Sequence, residues 1–157
     1  MKFASVITLL SAFVFAEAVS VTVTYDYNYA NANGSLYGVA CSDGANGLVT
    51  KGYTTFGSLP SFPYIGGIPG ATWNSPLCGT CWALAYTAPN GTVTTVFMTA
   101  VDVSYTYNVS PATFNKLTNS DPAPWAAGRL TADATQVSET NCGFPVRSSS
   151  MSRKAQL

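Results

Sequence analysis

The sequence contains no histidine, and only 9% of its residues are charged. Without histidine, the chain cannot form a Ser-His-Asp type of triad, use an imidazole general base or build most kinds of zinc site. We therefore expect neither a metal ion nor an organic cofactor. Acidic and basic residues are equally few, with seven of each. Such a composition provides no basic stripe for nucleic acid and no polybasic patch for a membrane surface.

Long apolar runs are also missing beyond the N-terminus. There, Lys2 precedes an apolar stretch over residues 3–15, and Ala16-Glu17-Ala18 follows as a small-x-small cleavage site. This layout predicts a secretory signal peptide over residues 1–18 and a mature chain that begins near Val19. No later stretch is long enough to cross a bilayer. We expect a secreted, extracellular protein without a membrane span.

Cysteine is scarce but even in number, with four residues at positions 41, 78, 81 and 142. In an oxidising compartment an even count predicts two disulfides, and the residues alone leave three connectivities open. Cys78-Gly79-Thr80-Cys81 has the spacing of a thioredoxin-like redox motif, but that motif precedes a helix, whereas residues 82–86 alternate as a strand does. The roughly 139 residues of the mature chain suit a single domain.

Apolar and polar residues alternate over much of the chain, which predicts a mainly β protein. The predicted strands cover residues 19–29, 37–40, 82–86, 92–103 and 129–137. Pro89-Asn90-Gly91 predicts the turn of a hairpin, and Ser110-Pro111 predicts a helix over 112–117. We also expect a short, glycine-interrupted helix within 46–59, Trp82 in the core and Trp125 on an exposed loop. Strands of this number and length favour a closed or nearly closed barrel.

Several separated segments, in this order, resemble the cerato-platanins, small secreted proteins of filamentous fungi. The segments are 20–26 (SVTVTYD), 41–44 (CSDG), 46–52 (NGLVTKG), 65–67 (IGG), 73–82 (WNSPLCGTCW), 100–102 (AVD) and 128–129 (GR). The resemblance covers residues 19–143. It implies a single-domain, six-stranded double-psi β-barrel related to the first domain of expansins, with a few short helices. It also implies the disulfide pairs Cys41–Cys78 and Cys81–Cys142.

The resemblance implies a function in the fungal cell wall. Cerato-platanins are associated with binding chitin fragments and N-acetylglucosamine oligomers, with non-hydrolytic loosening of cellulose and with eliciting plant defence. The expected partners are thus chitin oligomers or cellulose and a plant immune receptor, for a monomer or a weakly self-associating protein. Two alternatives stay open. One is a weak endoglucanase, and the other is a surface-active coat protein like the hydrophobins, although those carry eight cysteines.

Asp102 is the first candidate for a carbohydrate-binding residue because it interrupts an apolar strand near its end, where a charge needs a partner or a groove. The resemblance places the family's functionally important aspartate at the same position. The alternative is an aspartate that only hydrogen-bonds nearby backbone amides. The further candidates are Tyr25, Asp26, Asp43, Gly44, Asn74 and Asn108. Of these, Asp26 has the alternative of a solvated strand residue and Asp43 that of a turn residue.

Hydrolysis of a glycosidic bond needs two carboxyl groups facing one site. Because the sequence offers one strong candidate, Asp102, we predict a protein that is not an enzyme, with Asp26 and Asp43 left open as partners for Asp102. Tyr105 and Tyr107 either stack on sugar rings or only continue a strand.

Three sequons predict candidate N-glycosylation sites at Asn33, Asn90 and Asn108, and Asn90 is explained equally well by the turn. Residues 144–157 form a serine-rich, basic tail that departs from the family, and we expect the tail to be disordered. Truncation after Gly143 is accordingly expected to leave folding unchanged.

Overall fold

Six strands close into a barrel in a computed structural model that describes residues 17–146. The strands are β1 (Val19–Tyr25), β2 (Ile65–Ile68), β3 (Cys81–Thr87), β4 (Val93–Val103), β5 (Tyr107–Val109) and β6 (Arg129–Val137). Their order around the barrel is β1-β5-β2-β4-β3-β6. The pairs β1·β5 and β2·β4 are parallel, and the remaining pairs are antiparallel. The mainly β, six-stranded barrel is thus confirmed.

Two short helices pack on the barrel, and each begins at a capping residue followed by proline. Helix α1 (Pro111–Thr118) starts at Ser110, whose hydroxyl accepts from the backbone N–H of Thr113 at 3.1 Å. Helix α2 (Pro122–Ala127) starts at Asp121 in the same manner. Proline suits the first helical position because its missing N–H would have no partner there. Four 3₁₀ segments complete the described structure, namely Tyr27–Ala30, Leu36–Gly38, Phe56–Ser58 and Glu139–Cys142.

The core fills the barrel and the space beneath the helices. Its largest fully buried members include Leu36, Leu84, Met98, Val101 and Phe114. Two disulfides join distant parts of this core, Cys41–Cys78 across 37 residues and Cys81–Cys142 across 61. The chain-entropy model gives each loop a stabilisation of roughly 4 kcal/mol. The implied pairing is confirmed.

Some local predictions are wrong, and side-chain capping explains the first two of them. Strand β1 ends at Tyr25 instead of residue 29, because Asp26 accepts the N–H of Asn28 at 2.8 Å and starts a 3₁₀ turn. Residues 37–40 form no strand, since Ser35 caps a 3₁₀ turn in the same way. Trp125 lies in α2 and packs 4.5 Å from the ring of Tyr25, so its loop assignment was also wrong.

Other segments divide between confirmed and wrong predictions. Residues 46–59 contain turns and a single 3₁₀ segment in place of the expected helix. Strand β2 was not predicted, because its Ile-Gly-Gly-Ile sequence is too short and glycine-rich to show alternation. Strands β3, β4 and β6 and helix α1 lie where they were predicted.

The described structure ends just beyond the last cysteine. Phe144, which the sequence assigned to the tail, is buried, and its ring packs edge-on against Tyr53 at 5.5 Å. The packed domain therefore extends at least to Phe144, and, contrary to the expectation from the sequence, truncation after Gly143 should destabilise the fold. Residues 1–16 of the predicted signal peptide and residues 147–157 of the predicted tail lie outside the described residues. Between residues 17 and 146, no helix is long and apolar enough to cross a bilayer.

Candidate functional site

Asp102 lies near the end of β4, where three donors converge on its carboxylate. Oδ1 accepts from the backbone N–H of Ala40 at 2.8 Å and from that of Val103 at 2.9 Å. Oδ2 accepts from the hydroxyl of Tyr29 at 3.2 Å. A carboxylate has about four lone-pair sites, so Oδ2 retains capacity for a further donor. Asp102 thus organises the local backbone and still offers an acceptor to a ligand.

Tyr29 forms one wall beside Asp102, although its ring belongs to the buried core. The 3₁₀ turn that Asp26 caps carries Tyr29 inward. Gly67 of β2 leaves room for the phenol, since a side chain there would come within 3.1 Å of Tyr29 Oη. Burial raises the pKa of Tyr29 well above its ordinary value of 10.0, and the negative charge of Asp102 raises it further. Tyr29 therefore remains a neutral hydrogen-bond donor at physiological pH.

These residues line a cleft of about 240 Å³. Its walls are Asp26, Asn28, Tyr29, Ser35, Gly38, Val39, Phe56 and Asp102. The lining combines hydroxyl, amide and carboxylate groups with two aromatic rings, and it includes no cationic side chain. Two carboxylates without a cation disfavour an anionic ligand and suit a neutral polyol, whose hydroxyl groups donate to acceptors.

The predicted residues Asp43, Gly44 and Asn74 meet in a second cluster, which also contains Asn46 and Trp73. Asp43 Oδ1 accepts from the indole N–H of Trp73 at 2.5 Å. Asn74 Oδ1 accepts from the backbone N–H of Asn46 at 3.0 Å, and the side-chain amide of Asn46 donates to the carbonyl of Asn74 at 2.9 Å. Gly44 has φ +85°, and a side chain there would collide with Asn74. We call these five residues the Trp73 cluster.

Tyr25 and Asn108 lie in neither of these places. The half-buried ring of Tyr25 packs against Phe114 at 4.8 Å and against Trp125 at 4.5 Å, beneath the helices. Asn108 lies on β5, where its side-chain oxygen accepts from the hydroxyl of Thr24 at 2.9 Å. The structure thus brings Asp26 to Asp102, groups Asp43, Gly44 and Asn74 separately, and gives Tyr25 and Asn108 packing and strand-pairing contacts.

The two tyrosines after Asp102 have different surroundings. Tyr105 is fully exposed, whereas Tyr107 is buried and packs edge-on against Trp82 at 5.5 Å. Burial raises the pKa of Tyr107 to about 12. Tyr107 is therefore a core residue, and only Tyr105 presents its ring to solvent.

The three sequons differ in accessibility. Asn33 and Asn90 are exposed, and Asn90 accepts the N–H of Thr92 at 3.0 Å within the hairpin turn. In the third sequon, which begins at Asn108, the hydroxyl of Ser110 is fully buried and donates to the carbonyl of Pro63 at 2.5 Å. Folding therefore hides part of this sequon.

Sequence reasoning missed the contribution of Tyr29 to the cleft and that of Trp73 to its cluster. The signal for Tyr29 was its position three residues after Asp26, a residue type that caps turns. For Trp73 the sequence offered no such signal, since its partner Asp43 lies 30 residues away. A larger hollow of about 360 Å³, between residues 60–64 and Phe97, contains none of the predicted binding residues.

Metal ligands are not grouped in the described structure. Within residues 17–146, no three His, Cys, Asp or Glu side chains are placed to hold a metal ion. All four cysteines are in disulfides, so no thiol is available as a nucleophile or ligand.

The sequence model of one family, Cerato-platanin, matches residues 21–144. The chain belongs to the cerato-platanin family. Over 111 residues it is 43% identical to the cerato-platanin of Ceratocystis fimbriata f. sp. platani, covering 69% of this chain and 76% of that protein. Over 162 residues it is 38% identical to "Allergen Asp f 15" of Aspergillus fumigatus, covering 93% of this chain and 100% of the relative.

Solved cerato-platanin structures share the barrel. Cerato-platanin 1 from M. perniciosa is 40% identical, with a TM-score of 0.73 over 78% of this chain and 98% of that one. The solution structure of "the fungal elicitor Cerato-Platanin" is 42% identical, with a TM-score of 0.65 over 78% of this chain and 96% of that one. The family is one of secreted fungal proteins, and its members include a named elicitor and a named allergen.

Proposed function

We propose that this cerato-platanin is a secreted fungal wall protein that binds chitin oligomers in the cleft beside Asp102 without cleaving them. The observation that carries the proposal is the cleft itself, where Asp26 and Asp102 lie together with the hydroxyl of Tyr29 and no cation. Sugar recognition combines hydrogen bonds to hydroxyl and acetamido groups with aromatic surfaces for the apolar faces of the ring. The cleft provides the hydrogen-bonding groups, whereas the rings of Tyr29 and Phe56 beside it belong to the buried core.

The arrangement around Asp102 favours binding over acid catalysis. All of its hydrogen-bond partners donate to it, as suits a carboxylate that accepts hydrogen bonds from sugar hydroxyls. A general acid must instead carry a proton at the moment of reaction. The names of the relatives, an elicitor and an allergen, describe recognition of the protein and no reaction.

Two further activities belong to the proposal. One is the loosening of cellulose without hydrolysis, in which binding to a glucan chain competes with contacts between chains. The other is recognition by a plant immune receptor, for which the named elicitor among the solved structures is the support. The low charge of the chain suits contact with a neutral polymer such as cellulose.

Calorimetry with soluble chitin oligomers tests the binding site. The Asp102→Asn variant keeps the volume of the side chain and its Oδ1 acceptor but removes the charge, and we expect it to bind at least tenfold more weakly, a loss of about 1.4 kcal/mol. Asp133→Asn is the matched control, because Asp133 is an exposed aspartate on β6 outside the cleft. Equal affinity of wild type and Asp102→Asn for chitin oligomers would mean that the binding site lies outside this cleft.

A weak glycoside hydrolase is the second candidate function, and one observation favours it. Asp26 and Asp102 line the same cleft, and glycosidases use two carboxyl groups about 5–9.5 Å apart. Release of reducing ends from soluble glucan by wild type, and its loss in both Asp26→Asn and Asp102→Asn, would establish hydrolysis. Binding without release of reducing ends would support the non-catalytic function.

A further inference from the structure

Trp73 combines high exposure with a fixed orientation. The side chain is 62% exposed, whereas the other two tryptophans, Trp82 and Trp125, are partly buried against the core. Its indole N–H nevertheless donates to the carboxylate of Asp43 at 2.5 Å. A charge-assisted hydrogen bond of this kind restrains the ring, so that Trp73 presents an oriented aromatic face to solvent.

The surrounding chain supports this orientation at several points. Asn46 and Asn74 exchange two hydrogen bonds, which join the segment after Asp43 to the residue after Trp73. Gly44 allows this close approach, since any side chain there would come within 2.7 Å of Asn74 Oδ1. Below both segments, the Cys41–Cys78 disulfide links the two parts of the chain covalently. The segments that carry Asp43 and Trp73 are therefore held together by two hydrogen bonds and a disulfide.

The Trp73 cluster is close to the Asp102 cleft. Ala40 donates to Asp102, and Asp43, three residues later, accepts from Trp73. Three extended residues span at most about 11 Å, so the connecting segment is short. Cys41, between these residues, also donates its backbone N–H to the carbonyl of Val101 in β4. The cleft and the Trp73 cluster are therefore joined by a short segment that is hydrogen-bonded to β4.

We propose that Trp73 is a second sugar-contact site, which extends the Asp102 cleft for longer β-1,4-linked N-acetylglucosamine chains. One exposed face of the indole stacks on the apolar side of a sugar ring beyond the cleft, and Asp43 acts as a positioning residue that holds the indole. Because the ring is already oriented, little freedom is lost on binding. This inference rests on the proposed function, and it assigns to Asp43 a contact with Trp73 in place of a contact with sugar.

The dependence of affinity on oligomer length tests the inference. We expect wild type to bind a chitin hexasaccharide more tightly than a trisaccharide, and Trp73→Ala to lose roughly tenfold in affinity for the hexasaccharide only. Phe97→Ala is the control, because Phe97 is an exposed aromatic residue on β4 that lines a separate hollow with none of the predicted binding residues. Thermal unfolding of each variant shows whether the fold is intact, and the exposure of Trp73 predicts that it is.

Asp43 variants separate positioning from direct contact. Asp43→Asn retains the Oδ1 acceptor for the indole and should keep the affinity for the hexasaccharide, whereas Asp43→Ala should lose part of it. In Trp73→Phe, the change of tryptophan fluorescence on titration with the hexasaccharide should disappear. Unchanged hexasaccharide binding by Trp73→Ala, or equal weakening for both oligomers, would overturn the second site alone. No binding by wild type to either oligomer would reject the proposed function together with it.

Discussion

Replacement of Asp102 by alanine should destabilise the fold, whereas replacement by asparagine should not. Alanine leaves the backbone N–H of Ala40 and the hydroxyl of Tyr29, both in part-buried hydrogen bonds, without their acceptor. Each unsatisfied donor costs about 1–3 kcal/mol. The N–H of Val103 lies in an exposed hydrogen bond, so water replaces its lost acceptor. Because both hydrogen bonds are only part-buried, we take the lower part of this range for each donor and expect a total loss of about 2–4 kcal/mol for Asp102→Ala.

Asparagine retains Oδ1 for Ala40, and the hydroxyl of Tyr29 can rotate to accept from the new amide, so we expect a loss of about 1 kcal/mol or less. Urea unfolding measures both variants. With a slope of roughly 2 kcal/mol per molar, the midpoint should fall by about 1–2 M for alanine. Equal stability of Asp102→Ala and wild type would refute the structural role of the carboxylate. Equal destabilisation by both substitutions would show that the charge, not the acceptor geometry, stabilises this loop.

Three further predictions concern other parts of the molecule. The raised pKa of Tyr29 means that the unfolded state loses its proton first, near pH 10.0, so stability should fall above that pH. Urea unfolding of Tyr29→Phe should show a decline shallower by up to about 1.4 kcal/mol per pH unit. Truncation after Gly143 should lower the melting temperature by about 5–10 °C relative to truncation after residue 146, because it removes buried Phe144; equal melting temperatures would contradict this. Asn108 should remain unmodified in a eukaryotic host because Ser110 is buried, and a mass shift on deglycosylating a variant without Asn33 and Asn90 would disprove it.

Local chemistry explains which elements could be predicted. Helix α1 was recognisable because Ser110 and Pro111 satisfy and remove donors at its start, an effect confined to a few residues. Strands β3 and β4 were recognisable because an Asn-Gly turn separates two alternating segments. The end of β1 was not, since the alternation of apolar and polar residues continues past Asp26 while the capping hydrogen bond turns the chain.

The candidate site could be predicted only in part. Asp102 was recognised as a charge in an apolar strand, and its pairing with Asp26 was one of two options. The inward position of Tyr29 and the contact between Asp43 and Trp73 each depend on packing between distant segments. No periodicity along the chain carries that information.

By itself, the sequence determined the absence of imidazole chemistry, the mainly β character of the chain and the even number of cysteines. These properties follow from residue types and short-range patterns. The tertiary structure alone decided which groups surround each functional residue. Asp102 meets Ala40 and Tyr29, which are 62 and 73 residues away along the chain, only because closure of the barrel brings these segments to one end of β4. Hydrogen bonds act over about 3 Å, so their partners are set by the fold and not by order in the sequence.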